Sequence, residues 1–181
     1  MAKRKIVTGN DPVLRTVCRP VGTVTPRIKE LMDDMVETMR DADGVGLAAP
    51  QVGILRRVIV VEVEPGQVYM LADPEITASS GEQEGNEGCL SVPGESGCVR
   101  RPMKVTVKGT GPDGEPVTVE AEGFLARAFC HEIDHLDGIL YTDKALYMNE
   151  PEAEKEEKEE KKPEKMSPAA YRKYRKNRKD R

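Results

Sequence analysis

The chain has 181 residues and a formal net charge of −4, which suits one domain with at most a short extension. The charge is unevenly distributed: residues 150–181 carry 12 basic and 9 acidic side chains, whereas residues 1–149 carry 16 and 23. A segment so rich in charge buries too little apolar surface to fold alone. We therefore expect residues 1–149 to form the folded domain and residues 150–181 to be a charged C-terminal extension, flexible or helical.

The composition also excludes several classes of protein. No apolar run approaches the roughly 20 residues of a membrane-spanning helix, and the basic N-terminus lacks the apolar stretch of a secretory signal. We therefore expect a cytoplasmic protein with no membrane association, whose four cysteines stay reduced. The net charge of −7 over residues 1–149 argues against a nucleic-acid-binding core, because a phosphate backbone requires a basic surface.

The first predicted element is a helix that begins after Thr25-Pro26 and ends between Asp41 and Gly44. A threonine followed by proline is typical of a helix start. The apolar residues of this segment recur with a period near 3.6, which indicates one core-facing side. They are Ile28, Leu31, Met32, Met35, Val36 and Met39.

The next elements are strands, predicted in two pairs. Residues 57–63 are rich in β-branched side chains and indicate a buried strand, with which residues 68–71 can form a hairpin. Residues 105–107 and 117–119 flank an Asp-Gly turn, which predicts a second hairpin. A second helix is expected from about Gly123 to Leu136. Because the strands are clustered, with helices before and after them, the pattern favours the α+β class.

The second helix carries the only two histidines of the chain, in the sequence His131-Glu132-Ile133-Asp134-His135. Side chains four residues apart lie on one helical face, so both imidazoles can bind one metal ion. A divalent ion lowers the pKa of water from about 16 toward about 7, and Glu132 can take part in the remaining proton transfers. The alternative is an ordinary amphipathic helix that contains two histidines.

An open catalytic metal site needs a third protein ligand. No histidine follows His135, and the later glutamates lie in the charged extension. Upstream, Cys89 lies within Glu87-Gly88-Cys89-Leu90-Ser91, and its thiolate would complete a His2Cys set with a fourth position open. The alternative role of this cysteine is buried packing.

A third stretch, Gly44-Val45-Gly46-Leu47-Ala48-Ala49-Pro50-Gln51, lies between the first helix and the first strand. Its Gly-x-Gly does not predict a dinucleotide loop, because that loop follows a strand and precedes a helix. Small residues permit close backbone approach to a ligand, and the Gln51 amide can donate to an oxyanion. The alternative is a tight connection between helix and strand.

Taken in order, the three stretches resemble the GxGxAAxQ, EGCLS and HExxH motifs of peptide deformylases. The resemblance covers about residues 8–146 and does not include the extension. It implies an α+β fold in which antiparallel sheets surround a central helix that carries HExxH. The implied reaction is the removal of the formyl group from the N-terminal formyl-methionine of new bacterial polypeptides, with release of formate.

The resemblance also implies a metal site. Cys89, His131 and His135 would bind the ion, and Glu132 would act as general base and general acid. The ion in this family is typically Fe(II), which Ni(II), Co(II) or Zn(II) readily replace. The ligand set considered alone points to zinc instead.

The remaining motif residues are implied to contact the substrate. Gln51 and the backbone N–H of Leu90 would bind the formyl oxygen as the tetrahedral centre forms. Gly44, Val45 and Gly46 form the segment whose backbone would bind the substrate peptide.

Three positions near the motifs add further expectations. Cys130 precedes the first histidine, where the family usually has glutamine, and tolerated packing is the favoured interpretation. Gly85-Asn86 precede the EGCLS stretch, where a larger apolar residue often lines the methionine pocket. Asp43 and Arg101 lie where the family often has an acid–base pair that braces the site, so the resemblance implies such a pair here.

Two other functions remain open on the sequence. One is an HExxH metallopeptidase that cuts internal peptide bonds, and the other is a non-catalytic metal-binding or interaction module. Residues 171–181 are strongly basic. Because bacterial deformylases dock at the ribosome through a C-terminal segment, the resemblance implies a salt-sensitive ribosome contact through these residues. A solvated tail that only aids solubility is the alternative.

Overall fold

The computed structural model describes residues 2–149, so the predicted extension at 150–181 lies outside the described residues. The helices are α1 (Pro26–Asp41) and α2 (Gly123–Leu136). The strands are β1 (Gly46–Ala48), β2 (Val58–Val61), β3 (Tyr69–Ser80), β4 (Gln83–Cys89), β5 (Val92–Arg101), β6 (Lys104–Thr110), β7 (Pro116–Glu122) and β8 (Ala145–Met148).

The strands form two antiparallel sheets. The larger has the order β1-β2-β3-β6-β7 and the smaller has the order β4-β5-β8. Both predicted hairpins are confirmed, since Ile59 pairs with Leu71 and Val107 pairs with Val119. Two antiparallel sheets with separate helices confirm the predicted α+β class.

Helix α1 begins as its sequence predicts. The Thr25 side chain accepts a hydrogen bond from the backbone N–H of Ile28, and Pro26 occupies the first turn. The predicted apolar face is buried, with Met32, Met35 and Met39 fully removed from solvent. The methionines of α1 therefore pack in the core, where their flexible side chains fill an irregular space.

Helix α2 is buried along most of its length and lies against the larger sheet. Phe129 and Leu136 are fully buried, and each buried side chain of this size stabilises the fold by about 1.5–3 kcal/mol. The helix begins at Gly123, whose φ of +61° lies in the left-handed region that favours glycine. This burial makes α2 a rigid support for the side chains on its opposite face.

Apolar packing joins both helices to the larger sheet. One buried cluster lies between α2 and this sheet, and a second lies between α1 and the same sheet. Among the described residues, neither cluster includes a residue of β4, β5 or β8. Val99 on β5 is buried outside both clusters, and polar side chains also join the smaller sheet to α2.

The smaller sheet was not predicted from the sequence. Strand β4 consists of polar residues, glycines and one cysteine, and so lacks the β-branched residues that favour strands. It forms because β5 pairs with it along its length, from Gln83 opposite Arg101 to Cys89 opposite Val92. Among the described residues no helix is long and apolar enough to cross a membrane.

Candidate active site

The three predicted metal ligands converge from two elements. His131 and His135 lie on one face of α2, and Cys89 is the last residue of β4. The two Nε2 atoms are 3.2 Å apart, and Cys89 Sγ is 3.3 Å from His135 Nε2. The three candidate ligand atoms all lie within 4.8 Å of one another.

These spacings fit a single divalent ion. Bonds of about 2.3 Å to sulfur and about 2.0 Å to nitrogen place tetrahedral ligand atoms roughly 3.3–3.6 Å apart. The observed separations of 3.2 and 3.3 Å are close to that range. Burial lowers the pKa of His135 well below its ordinary value, so this ring is neutral, as a metal ligand must be.

A buried carboxylate orients the first histidine. Glu87 Oε2 lies 2.9 Å from His131 Nδ1. A carboxylate there accepts a hydrogen bond from Nδ1–H and so favours the tautomer whose Nε2 lone pair faces Cys89 and His135. Although burial opposes ionisation, hydrogen bonds from Arg101 and His131 lower the pKa of Glu87 to about 2.

The predicted pair between Asp43 and Arg101 is wrong. Arg101 is 4% exposed and donates from Nε and Nη2 to Glu87, at 2.8 and 2.9 Å, and from Nη1 to Asp134 at 2.6 Å. Asp43 is exposed at the end of α1 and lines the cavity. A buried guanidinium requires carboxylate partners, and the buried Glu87 and the partly buried Asp134 provide them.

Glu132 is the buried carboxylate beside the predicted metal ligands. It is 4% exposed, and its Oε2 has no hydrogen-bond partner among the described residues. Burial raises the pKa of Glu132 to about 7. A carboxyl group that titrates near neutrality is suited to both accepting and donating a proton.

Gln51 reaches the same place from the loop after β1. It lies in a single 3-10 turn, Ala49–Val52, and is 1% exposed. Its Oε1 accepts from the Ala48 N–H at 2.9 Å, which directs Nε2 toward Cys89 Sγ at 3.4 Å and Ser91 Oγ at 3.1 Å. The amide donor is therefore held in one orientation.

A cavity of about 490 Å³ opens onto these groups. Eight of the nine predicted site residues line it, and the ninth, His135, contacts Cys89 behind it. The eight are Gly44, Val45, Gly46, Gln51, Cys89, Leu90, His131 and Glu132. The glycines permit close packing, since a β-carbon on Gly44 would lie 2.8 Å from Leu90 Cδ1.

Three supporting residues were not identified from the sequence. Glu87 and Ser91 lie within the second motif but had no predicted role of their own, and Arg127 lies outside all three motifs. Glu87 lies two residues before Cys89, and so on the same face of β4, while Arg127 lies one turn before His131 on α2. The two-residue spacing along a strand and the four-residue spacing along a helix could therefore have identified Glu87 and Arg127 as neighbours of the predicted ligands.

Cys130 agrees with the predicted packing role. It is 5% exposed and belongs to the apolar cluster between α2 and the larger sheet. Burial raises the pKa of its thiol, which keeps it protonated and weakly reactive.

Comparison with known proteins gives one consistent family. Residues 3–154 match the model of the family described as polypeptide deformylase. A peptide deformylase of Agathobacter rectalis is 56% identical over 144 residues, which cover 80% of this chain and 90% of the relative. A peptide deformylase of Acetivibrio thermocellus is 51% identical over 156 residues, covering 86% and 91%.

Solved structures agree with these relatives. The crystal structure of a peptide deformylase from Legionella pneumophila has a TM-score of 0.76 and 44% identity, covering 79% of this chain and 86% of the other. The peptide deformylase from Thermotoga maritima has a TM-score of 0.78 and 38% identity, covering 81% and 100%.

Proposed function

The chain belongs to the polypeptide deformylase family, and on this basis we propose the role of each site residue in deformylation. The enzyme is a metal-dependent hydrolase that removes the N-formyl group from nascent peptides. The observation that carries the assignment of roles is the convergence of Cys89, His131 and His135 with Glu132 and Gln51 at one cavity.

Cys89, His131 and His135 would hold one divalent ion. When bound, such an ion supplies a Lewis acid for the formyl oxygen and lowers the pKa of the attacking water. We propose Fe(II) as the ion, on the family resemblance, with Zn(II), Ni(II) or Co(II) as substitutes. The mixed nitrogen and sulfur ligands support this group of metals over magnesium or calcium, which prefer oxygen.

Glu132 moves the protons. Its Oε2 has no partner within residues 2–149 and is buried beside the ligands, where it takes a proton from the attacking water. It then delivers that proton to the amine of the departing peptide, so that formate and a free N-terminus are released. A pKa of about 7 allows one carboxyl group to perform both steps.

Gln51 and the backbone N–H of Leu90 stabilise the oxyanion. The Gln51 amide is already oriented by Ala48, so little reorganisation is needed as negative charge develops on the formyl oxygen. The formyl carbon bears only hydrogen, so a narrow site excludes bulkier acyl groups.

The segment of Gly44, Val45 and Gly46 binds the peptide backbone of the substrate. β1 begins at Gly46 and is an edge strand of the larger sheet, so its unpaired backbone groups are available to an extended peptide. The methionine side chain would occupy the cavity between this segment and α2.

We also propose a cytoplasmic enzyme that meets its substrate at the ribosome. The support is the excess of basic residues at 171–181, which suits contact with RNA phosphates. This segment lies outside the described residues, and the division into a catalytic domain at 1–149 and an extension at 150–181 stays a prediction.

One assay separates this function from its rivals. Wild-type enzyme is incubated anaerobically with formyl-Met-Ala, and released formate and bound metal are both measured. Formate release in proportion to metal content supports the proposal. Metal binding without formate release favours a non-catalytic module. A Cys89→Ala variant that still binds metal and cleaves internal peptide bonds favours a metallopeptidase.

A further inference from the structure

The three proposed metal ligands come from two parts of the fold that share no apolar cluster among the described residues. His131 and His135 are on α2, which is packed into the core on the larger sheet. Cys89 ends β4 in the smaller sheet, which adds no strand residue to either apolar cluster of the described chain. The spacing between thiolate and imidazoles therefore depends on whatever fastens the smaller sheet to α2.

We propose that Arg127 is a positioning residue that sets this spacing. It lies on α2 one turn before His131, is 4% exposed, and reaches the adjacent strands β4 and β5 of the smaller sheet. Its Nη1 donates to Glu87 Oε1 at 2.8 Å and to the Val99 carbonyl at 2.9 Å, and lies 3.3 Å from the Gly85 carbonyl.

These contacts constrain more than one degree of freedom. Glu87 and Gly85 are on β4 and Val99 is on β5, so one guanidinium group is bonded to two adjacent strands. Hydrogen bonds have preferred angles as well as distances, whereas apolar contacts do not direct their partners. Arg127 thus limits sliding and rotation of β4 against α2, and Cys89 lies two residues beyond Glu87 on β4.

Gly85 supplies the space that this arrangement needs. A β-carbon at position 85 would lie 3.2 Å from Arg127 Nη2, which is closer than side chains normally approach. A glycine in a strand interior weakens the strand, so its presence indicates a close approach of another group. Here that group is the Arg127 guanidinium.

Other contacts cross the same boundary without replacing Arg127. Arg101 on β5 donates to Asp134 on α2, His131 is bonded to Glu87, and Gln83 at the start of β4 donates to the Gly123 carbonyl at the start of α2. None of these residues bonds to main-chain carbonyls of both strands, as Arg127 does. We therefore expect loss of Arg127 to displace β4 while the carboxylate at Glu87 keeps Arg101 as a partner.

The inference deepens the proposed metal site, and its test uses Co(II) as a probe, so no turnover is required. Arg127→Met and Arg127→Lys are loaded with Co(II), and their visible spectra and rates of metal loss to a chelator are measured. For Arg127→Met we expect changed thiolate and d–d bands and metal loss faster by about 10- to 100-fold. Arg127→Lys should lose metal at a rate between those of wild type and Arg127→Met, because an ammonium group keeps the charge but not the planar, multiply donating guanidinium.

Arg100→Met is the matched control. Arg100 follows Val99 on β5, but its side chain is exposed and paired with Glu84. This variant should match wild type in both the spectrum and the rate of metal loss.

Gly85→Val tests the proposal if Arg127→Met does not fold. It keeps every charge and only crowds the guanidinium, so it should also speed metal loss. Wild-type behaviour of Arg127→Met or Gly85→Val, or full recovery by Arg127→Lys, would overturn the proposal. Formate release by wild type tests the proposed function separately.

Discussion

Gly46 packs directly against the carboxylate of Glu132, so closely that a β-carbon on Gly46 would fall 2.3 Å from Oε1. The first residue of β1 and the proposed proton carrier on α2 therefore occupy adjoining space at the cavity. No side chain is compatible with this contact unless Glu132 moves.

Gly46→Ala should consequently displace Glu132 and slow the reaction. A displacement near 1 Å can lower kcat by about 100-fold, because the general base loses its alignment. Metal content should stay at the wild-type level, since none of the three predicted ligands is touched. Steady-state kinetics with formyl-Met-Ala, together with metal analysis, checks this expectation. Unchanged kcat would show that the Glu132 side chain adapts at no cost.

Glu132→Gln should retain the metal and lose nearly all turnover. Glutamine has the same shape as glutamate but neither accepts nor donates a proton at neutral pH. General acid–base groups typically contribute 10²- to 10⁴-fold, so kcat should fall by about that factor. Formate release and metal stoichiometry are measured on the same sample. Full activity in this variant would remove Glu132 from the proposed role.

Asp34 should make part of the stability depend on pH. Although burial opposes ionisation, hydrogen bonds from the Ala2 N–H and Arg4 hold the pKa of Asp34 below its ordinary value. A folded-state pKa below the unfolded one stabilises the protein above the unfolded value, and this stabilisation is lost as the pH falls through the folded pKa. Hydrogen bonds to a charged group contribute about 1.5–3 kcal/mol.

Asp34→Asn, which keeps the shape of the side chain, provides the check on Asp34. Thermal unfolding at pH 7 should show the variant to be less stable than wild type. The difference in stability should shrink at strongly acidic pH, where the wild-type carboxyl is protonated and therefore uncharged, like the asparagine amide. An equal difference at both pH values would assign the effect to packing and not to charge.

Truncation after Asn149 should separate catalysis from ribosome contact. All predicted site residues lie before this point, so turnover of formyl-Met-Ala should be unchanged. Co-sedimentation with ribosomes at low salt should fall, because 12 basic side chains are removed. Unchanged co-sedimentation would end the proposal of a ribosomal contact through the extension.

Local patterns determined much of this protein. The 3.6-residue period and the Thr-Pro start predicted α1, and α2 was predicted at its observed bounds. The β-branched runs and the Asp-Gly turn predicted the two hairpins, because each pattern depends on neighbours along the chain. The same local spacing predicted that His131 and His135 share a face. Three ordered motifs were enough to identify the family.

The tertiary structure decided how the site is supported. Strand β4 has little intrinsic strand preference and depends on its pairing with β5. The predicted partner of Arg101 was wrong because the choice among acidic residues depends on which carboxylates the fold places beside the buried guanidinium, and these are Glu87 and Asp134. Contacts between residues distant in sequence are selected by burial and by the geometry of packed elements, and no local pattern records either.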